Sequence, residues 1–318
     1  MILAGDVGAT KTHLALFEKG EQRKFFADEK FKSTEFESLT AIIKKFLENR
    51  SVKIEKACFG VPGVVINGKC HPTNLPWLVD EKKISDSTKI PTVRLINDLE
   101  ANAYGIGCLY PQEFYTLNTG IVHEGNQALI SAGTGLGEAG LFWSGERHIP
   151  FATEGGHCSF APENELELAL QKYLKREFTH VSFERILSGL GLYRVYQFLI
   201  DSGLESAKES IKMDVDAPKK ITEKALNGTC RACKRALEVF VGIYGSETGN
   251  LALKHFAVGG IYIGGGIAPK ILPALKEGEF MKRFSAKGRM QALLSTIPIK
   301  IILNENTALL GAAEYARK

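Results

Sequence analysis

The chain has no apolar run near the roughly 20 residues that a membrane-spanning helix requires, and its first acid, Asp6, arrives too early for a secretory leader. It has little net charge: 40 Lys and Arg against 36 Asp and Glu leave +4, scattered in pairs such as Lys219-Lys220. A nucleic-acid surface calls for a basic stripe, and none is present. Cysteines are few and dispersed (Cys58, Cys70, Cys108, Cys158, Cys230, Cys233), and the reducing compartment expected from the missing leader makes disulfides unexpected. Neither a serine nucleophile elbow nor an HExxH metal helix occurs. Gly63-x-x-x-x-Gly68-Lys69 approaches a P-loop but ends in Cys70 and sits on a hairpin. Gly135-x-Gly137-x-x-Gly140 has dinucleotide spacing, but Leu141-Phe142-Trp143 continues as strand where a helix must open. A single Cys230-x-x-Cys233 pair reads as two helix cysteines one turn apart. These absences leave a cytoplasmic globular protein that binds neither membrane nor nucleic acid.

What is present, with 44% hydrophobic and 24% charged residues over 318 positions, is enough for two domains. Two glycine turns stand between apolar runs. The first is Gly5-Asp6-Val7-Gly8-Ala9-Thr10-Lys11, the second Ala132-Gly133-Thr134-Gly135-Leu136-Gly137. Both read strand, tight turn, strand. Glycine lets backbone N–H groups approach an anion and threonine adds a hydroxyl, so the pair suits a polyphosphate. Asp6 stands where a nucleotide's metal would be needed.

The remaining pattern is α/β, built twice over. Strands are expected over Arg23–Phe31, Lys56–Val65, Val93–Asn97, Val258–Ile263 and Ile299–Leu303. Helices are expected over Ser33–Arg50, from Leu99, over 163–178, from Ser182 as a capping-box variant, over most of Ile221–Ala257, and over Thr307–Ala316. Asn67-Gly68 marks a hairpin.

Four polar clusters lie beside glycines or strand ends. Asn97-Asp98 caps a helix or faces a ligand. Glu154-Gly155-Gly156-His157 is a turn able to aim an acid and an imidazole at one point. Glu184 is a first-turn helix acid or a ligand group. Gly264-Gly265-Gly266, with Pro269 just inside the helix expected next, lets a flat ring or phosphate lie on backbone. Acids, an amide and an imidazole together suit the hydroxyls of a neutral sugar. Asp98 is the natural base for phosphoryl transfer to one of them.

The ordered set Gly5-Asp6-Val7-Gly8-Ala9-Thr10, Ile96-Asn97-Asp98, Ala132–Gly137, Glu154–Pro162, His180–Gly189 and Gly264–Pro269 resembles the bacterial glucokinases over essentially the whole chain. The resemblance implies a two-domain actin-like/hexokinase (ribonuclease H-like) α/β fold with the active site in the interdomain cleft. Its small domain would span 1–108, completed by a closing helix in 304–318, and its large domain 109–303. It implies that Asn97, Asp98, Glu154, His157 and Glu184 hold D-glucose, with Asp98 the base on the 6-hydroxyl. Gly5, Asp6, Gly8, Ala9, Thr10, Lys11, Gly133, Thr134 and Gly135 would take the phosphates of ATP, and Gly264, Gly265 and Gly266 would lie near its adenosine. Mg2+ would be held by Asp6 through water, and the assembly would be a homodimer. Two departures stand out. The family's first turn is usually Gly-Gly-Thr-Asn, whereas Ala9 and Lys11 occur here. Ala9 needs a backbone angle acceptable to an L-residue, and Lys11 either pairs with a phosphate or is solvated. The related ROK sugar kinases carry a cysteine-rich zinc motif that this chain lacks after Cys158. The rival readings are a kinase of another neutral hexose and a catalytically silent sugar sensor.

Overall fold

The computed structural model describes residues 1–72, 75–206 and 210–318. The first third contains β1 (Ile2–Val7), β2 (Lys11–Phe17), β3 (Phe25–Lys32), α1 (Leu39–Leu47), β4 (Lys56–Val61), β5 (Lys69–Cys70), β6 (Val79–Asp80), α2 (Glu81–Thr88), β7 (Thr92–Asn97) and α3 (Asp98–Ile106). Then come β8 (Phe114–Asn118), β9 (Gln127–Ala132), β10 (Leu136–Trp143), β11 (His148–Thr153), α4 (Glu165–Leu174), α5 (Gly189–Asp201), α6 (Ala217–Leu226) and α7 (Arg231–His255). The chain closes with β12 (Gly260–Gly264), α8 (Leu272–Lys276), α9 (Glu279–Ser285), α10 (Gln291–Ser295), β13 (Ile299–Ile302) and α11 (Thr307–Arg317). These elements form two compact units. Unit 1 is Met1–Glu113, Pro150–Ala152 and Asn304–Lys318; unit 2 is Phe114–Ile149 and Thr153–Leu303.

Unit 1 is built on a sheet of order β3-β2-β1-β4-β7. β1 runs antiparallel to β2 and parallel to β4, and β4 parallel to β7. Side chains alternate across the pleat. Leu3, Val7, Leu14 and Leu16 face one core with Ile42, Ile43 and Phe46 of α1. Ile2, Ala4, Ala15 and Phe17 face the other, with Ala101 of α3 and Leu309, Ala312 and Ala313 of α11. Both faces are covered, so the strands read as nearly continuous apolar runs. Each fully buried Leu contributes about 1.5–3 kcal/mol.

The two ends of unit 1's main segments are tied together. Arg23 donates to both carboxyl oxygens of Glu113, at 2.7 and 2.8 Å, and Asn304 Nδ2 donates to Glu113 Oε1 at 2.6 Å. The Arg23 guanidinium first of all, then the Tyr110 and Asn304 donors, hold the Glu113 carboxyl down at about 2 against the opposing effect of burial.

Unit 2 carries the order β11-β10-β9-β12-β13-β8. β9 runs antiparallel to β10 and parallel to β12; β12 is parallel to β13, and β13 antiparallel to β8. The 25-residue α7 crosses its core, burying Tyr244 against Phe280 of α9 and Phe240 against Tyr244.

Several local expectations need correction. The helix expected over Ser33–Arg50 is a 3-10 turn at Ser33–Glu35, an extended Phe36, and then α1, because Ser38 accepts the Ala41 N–H at 3.1 Å and sets a later start. The Ser182 capping box does not form. Ser182 is buried without a side-chain cap, Phe183–Arg185 is a 3-10 turn, and α5 opens six residues on, where Ser188 accepts from Gly191 N–H. No helix opens at the triple glycine: turns follow Gly264, and α8 starts only at Leu272, so Pro269 precedes the helix. The Asn67-Gly68 hairpin is present. Both residues have positive φ, 51° and 71°, and Ile66 and Lys69 exchange backbone bonds at 2.9 and 3.0 Å. The short α2 and the edge strands β8 and β11 lack a clean apolar period and were not expected from the sequence.

Candidate functional site

In unit 1 the first glycine turn joins β1 to β2. The Gly8 N–H is bonded to Lys11 O at 2.9 Å. The Ser33 hydroxyl donates to Gly8 O at 2.7 Å and sits 2.9 Å from the Thr12 hydroxyl, bracing the turn from behind. Gly5 lies within β1, where a Cβ would stand 2.5 Å from the Phe59 ring; close strand packing demands the glycine. Ala9 is absent from the positive-φ residues, which among the described non-glycine positions are Asn67, Lys89 and Phe256. Its methyl packs on the unit's core, so alanine fits without strain. Thr10 and Lys11 are exposed. Burial pushes the Asp6 carboxyl up to about 6, with Lys11 pulling it back.

Asn97 ends β7 and caps α3. Its Oδ1 accepts from Leu99 and Glu100 N–H at 2.8 and 3.3 Å, while its Nδ2 donates to Gly63 O at 3.1 Å. The cap aims the next residue: Asp98 opens α3, the helix end that favours an acid, with Oδ1 accepting from Leu99 N–H at 3.0 Å.

In unit 2 the second turn joins β9 to β10. Gly133 N–H donates to Gly135 O at 2.8 Å, and Gly189 N–H to Gly133 O at 2.9 Å. Glu184 reaches this turn: its Oε2 accepts from Leu136 N–H at 3.1 Å, and its carboxyl fills the space where a Cβ at Gly135 would stand. Gly264-Gly265-Gly266 lies alongside. Gly265 has φ +82°, and a Cβ there would strike Ala132 O. That position needs glycine both for its backbone angle and for the close approach.

Glu154 precedes a 3-10 turn at Gly155–His157, with His157 N–H donating to Glu154 O at 3.0 Å. Gly156 rests on Leu136 O, where no side chain fits. The following stretch zips to the segment carrying Glu184: Phe183 N–H to Cys158 O at 3.1 Å, Phe160 N–H to Val181 O at 2.9 Å, and His180 Nε2 2.9 Å from His157 O. Glu154 and His157 stand 3.9 Å apart and half exposed, open to a ligand. The structure therefore gathers Glu154, His157, Glu184, Gly133, Thr134, Gly135 and Gly264–Gly266 on one unit. It holds Asn97, Asp98 and the residues Gly5–Lys11 on the other.

A glucokinase family model matches residues 3–318. The chain belongs to the glucokinase family. It is similar to the glucokinase of Nostoc sp. (strain PCC 7120), 41% identical over 339 residues, with 100% of this chain and 99% of that one covered. The glucokinase of Synechocystis sp. (strain PCC 6803) is 38% identical, with 99% and 97% covered. Among solved structures, a glucokinase from an Antarctic psychrotroph aligns with a TM-score of 0.83 at 30% identity, covering 99% of this chain and 98% of that one. A Balamuthia mandrillaris glucokinase in complex with glucose aligns at 0.85 and 21% identity, covering 100% and 93%, a likeness of fold alone. A ROK family glucokinase from Streptomyces griseus is more distant, at 0.67 and 19%. The fold is the actin/hexokinase (ribonuclease H-like) α/β fold of the family.

Reading the sequence missed three things around the family motifs. Ser33 acts on the first turn from outside it, and Ser188 rather than Ser182 opens α5. A buried acid pair, Glu138 and Glu247, lies behind the second turn at 1% and 0% exposure. An acid inside an otherwise apolar strand was the available signal for Glu138. Cys230 proves to be the N-cap of α7, its sulfur accepting from Cys233 N–H at 3.2 Å.

Proposed function

We propose that these two sets of residues serve one reaction, transfer of the γ-phosphoryl group of ATP to the 6-hydroxyl of D-glucose, giving glucose 6-phosphate and ADP. The observation that carries the reading is the clustering of Glu154, His157 and Glu184 around a glycine turn, in a chain whose β7–α3 junction presents Asp98. Glu154, His157, Glu184 and the spare amide hydrogen of Asn97 bind the sugar hydroxyls. Asp98 accepts the 6-hydroxyl proton as that oxygen bonds to the γ-phosphorus and the bond to the ADP oxygen breaks. Because the Gly8 N–H is already engaged by Lys11 O, the exposed Thr10 hydroxyl and Lys11 ammonium meet phosphate at the first turn. Gly133, Thr134 and Gly135 meet it at the second, and Gly264–Gly266 offers backbone to the adenosine.

Asp6 suits Mg2+, which keeps most of its waters and takes one or two carboxylates besides phosphate oxygens. Among the described residues no group of three or more His, Cys, Asp or Glu side chains forms a cage. Held there through water, Mg2+ would supply neutralisation of the phosphate charge. A homodimer in the cytoplasm belongs to the same family reading, and light scattering of the purified chain tests the pairing. Among the described residues no helix is long and apolar enough to cross a membrane.

A coupled assay of a hexose panel against a donor panel tests the function. D-glucose with ATP should give the highest kcat/KM. Mannose or fructose ahead of glucose would move the reading to another hexose kinase, and binding without turnover would move it to a sensor.

A further inference from the structure

Behind the Gly155–His157 turn, Glu138 on β10 and Glu247 on α7 both lie out of water, close enough for the Glu247 carboxyl to act on Glu138. Two carboxylates side by side in an apolar interior cannot both be ionised at small cost. Glu247 has the partners of an ionised acid: Lys254 Nζ at 3.2 Å and the Asn250 amide at 2.8 Å. Glu138 Oε1 is buried with no hydrogen-bond partner. A proton on Glu138 removes the second buried charge and gives the acid a donor to offer Glu247. Burial first, and Glu247 second, push the Glu138 carboxyl up to about 8, with Lys254 opposing.

Glu138 also supports the turn directly. Its Oε2 occupies the place where a Cβ at Gly155 would stand. Its backbone oxygen accepts from the Thr153 hydroxyl at 2.9 Å, and that hydroxyl accepts from Gly155 N–H at 3.3 Å. The other titratable groups facing the pair are Tyr244 and Lys254 from α7, Cys158 acting on Lys254 from the stretch after the turn, and Lys287 acting on Glu247. Glu154 and His157 of the turn itself are half exposed.

We propose, on the reading that Glu154 and His157 hold glucose, that Glu138 is a positioning residue for the sugar turn. Protonated, it is the neutral support on which Gly155 sits; ionised beside Glu247, it displaces the turn and weakens sugar binding. The folded-state value lies above the unfolded one. The proton's contribution to folding is therefore fully present below the ordinary glutamate range and is lost as pH rises through about 8.

Calorimetric titration of glucose without nucleotide, from pH 6.5 to 9.5, tests this. The wild-type Kd should be flat to near neutrality and then rise about tenfold or more, with a midpoint near 8. Glu138→Gln carries a permanent donor toward Glu247, so its Kd at pH 9.5 should stay within about threefold of its own value at pH 7. Cys158→Ser should keep the wild-type rise. A flat wild-type profile, which needs no variant to fold, overturns the proposal. So does a Glu138→Gln profile that rises with the wild type, or a rise abolished by Cys158→Ser. Glu154→Gln separates the two levels: wild-type glucose affinity in that variant at pH 7 would sink the sugar-turn reading and this proposal together. A failing Glu138→Gln profile with an impaired Glu154→Gln would sink the proposal alone.

Discussion

The two units share a scaffold and use it differently. Each sheet has an antiparallel hairpin, a third strand beyond it and two parallel strands on the other side: β3-β2-β1-β4-β7 in one, β11-β10-β9-β12-β13 in the other, where β8 adds a sixth strand. In each, a 3-10 turn follows the third strand, Ser33–Glu35 or Gly155–His157. Unit 1 spends that turn inward, on the Ser33 brace of Gly8 and Thr12. Unit 2 turns it outward, leaving Glu154 and His157 half exposed. At the end of the fifth strand the roles reverse. β7 leads into Asp98, the proposed base, whereas β13 leads to Asn304, which is spent on Glu113. Equivalent positions in a repeated architecture thus supply equivalent geometry, and the residue types decide which of them becomes chemistry.

The largest test of that division is Asp98→Asn. It should lower kcat by roughly 10²–10⁴, the usual worth of a general base, with a smaller change in glucose affinity. A folded variant with near wild-type kcat would remove Asp98 from the reaction and the contrast with Asn304 along with it.

Next in size is the clasp that occupies Asn304. Glu113→Ala leaves Arg23 and Asn304 without their acceptor and should cost about 2–3 kcal/mol. Trp77 lies in unit 1 and Trp143 in unit 2, so urea unfolding of single-tryptophan variants reads each unit. The loss should appear in the Trp77 transition. Glu113 is held near 2 when folded, below its unfolded value. Its contribution is therefore present above the ordinary glutamate range and lost as pH falls toward 2. Glu113→Gln should flatten that acid limb; an unchanged limb would assign it elsewhere.

Glu184 separates sugar from turn. Glu184→Gln keeps an oxygen for Leu136 N–H but removes the charge, and should raise glucose KM about 10–100-fold with little change in ATP KM. Glu184→Ala removes both contacts and should raise both constants. Equal effects of the two variants would mean that the Leu136 bond does no positioning.

The smallest expected effect is Ser33→Ala, about 1 kcal/mol of stability with a modest rise in ATP KM and none in glucose KM. A change in glucose KM instead would break the inward–outward contrast between the two 3-10 turns.

Much of this protein was decided locally. The apolar runs of β1, β4, β9 and β12 are legible as strands buried on both faces, and the Asn67-Gly68 turn and Gly265 follow from backbone angles that few residues adopt. The family motifs are likewise contiguous stretches, so they are legible one residue after another. What only the tertiary structure decided is where charges and hydroxyls are spent. Ser33 lies 25 residues from Gly8, Glu184 lies 48 from Leu136, and Asn304 lies 191 from Glu113. Nothing local at Ser182 or Ser188 says which of them caps α5. Glu138 and Glu247 are unremarkable acids until β10 and α7 pack. Burial and proximity are properties of the packed chain, and they alone put two acids out of water behind the Gly155–His157 turn.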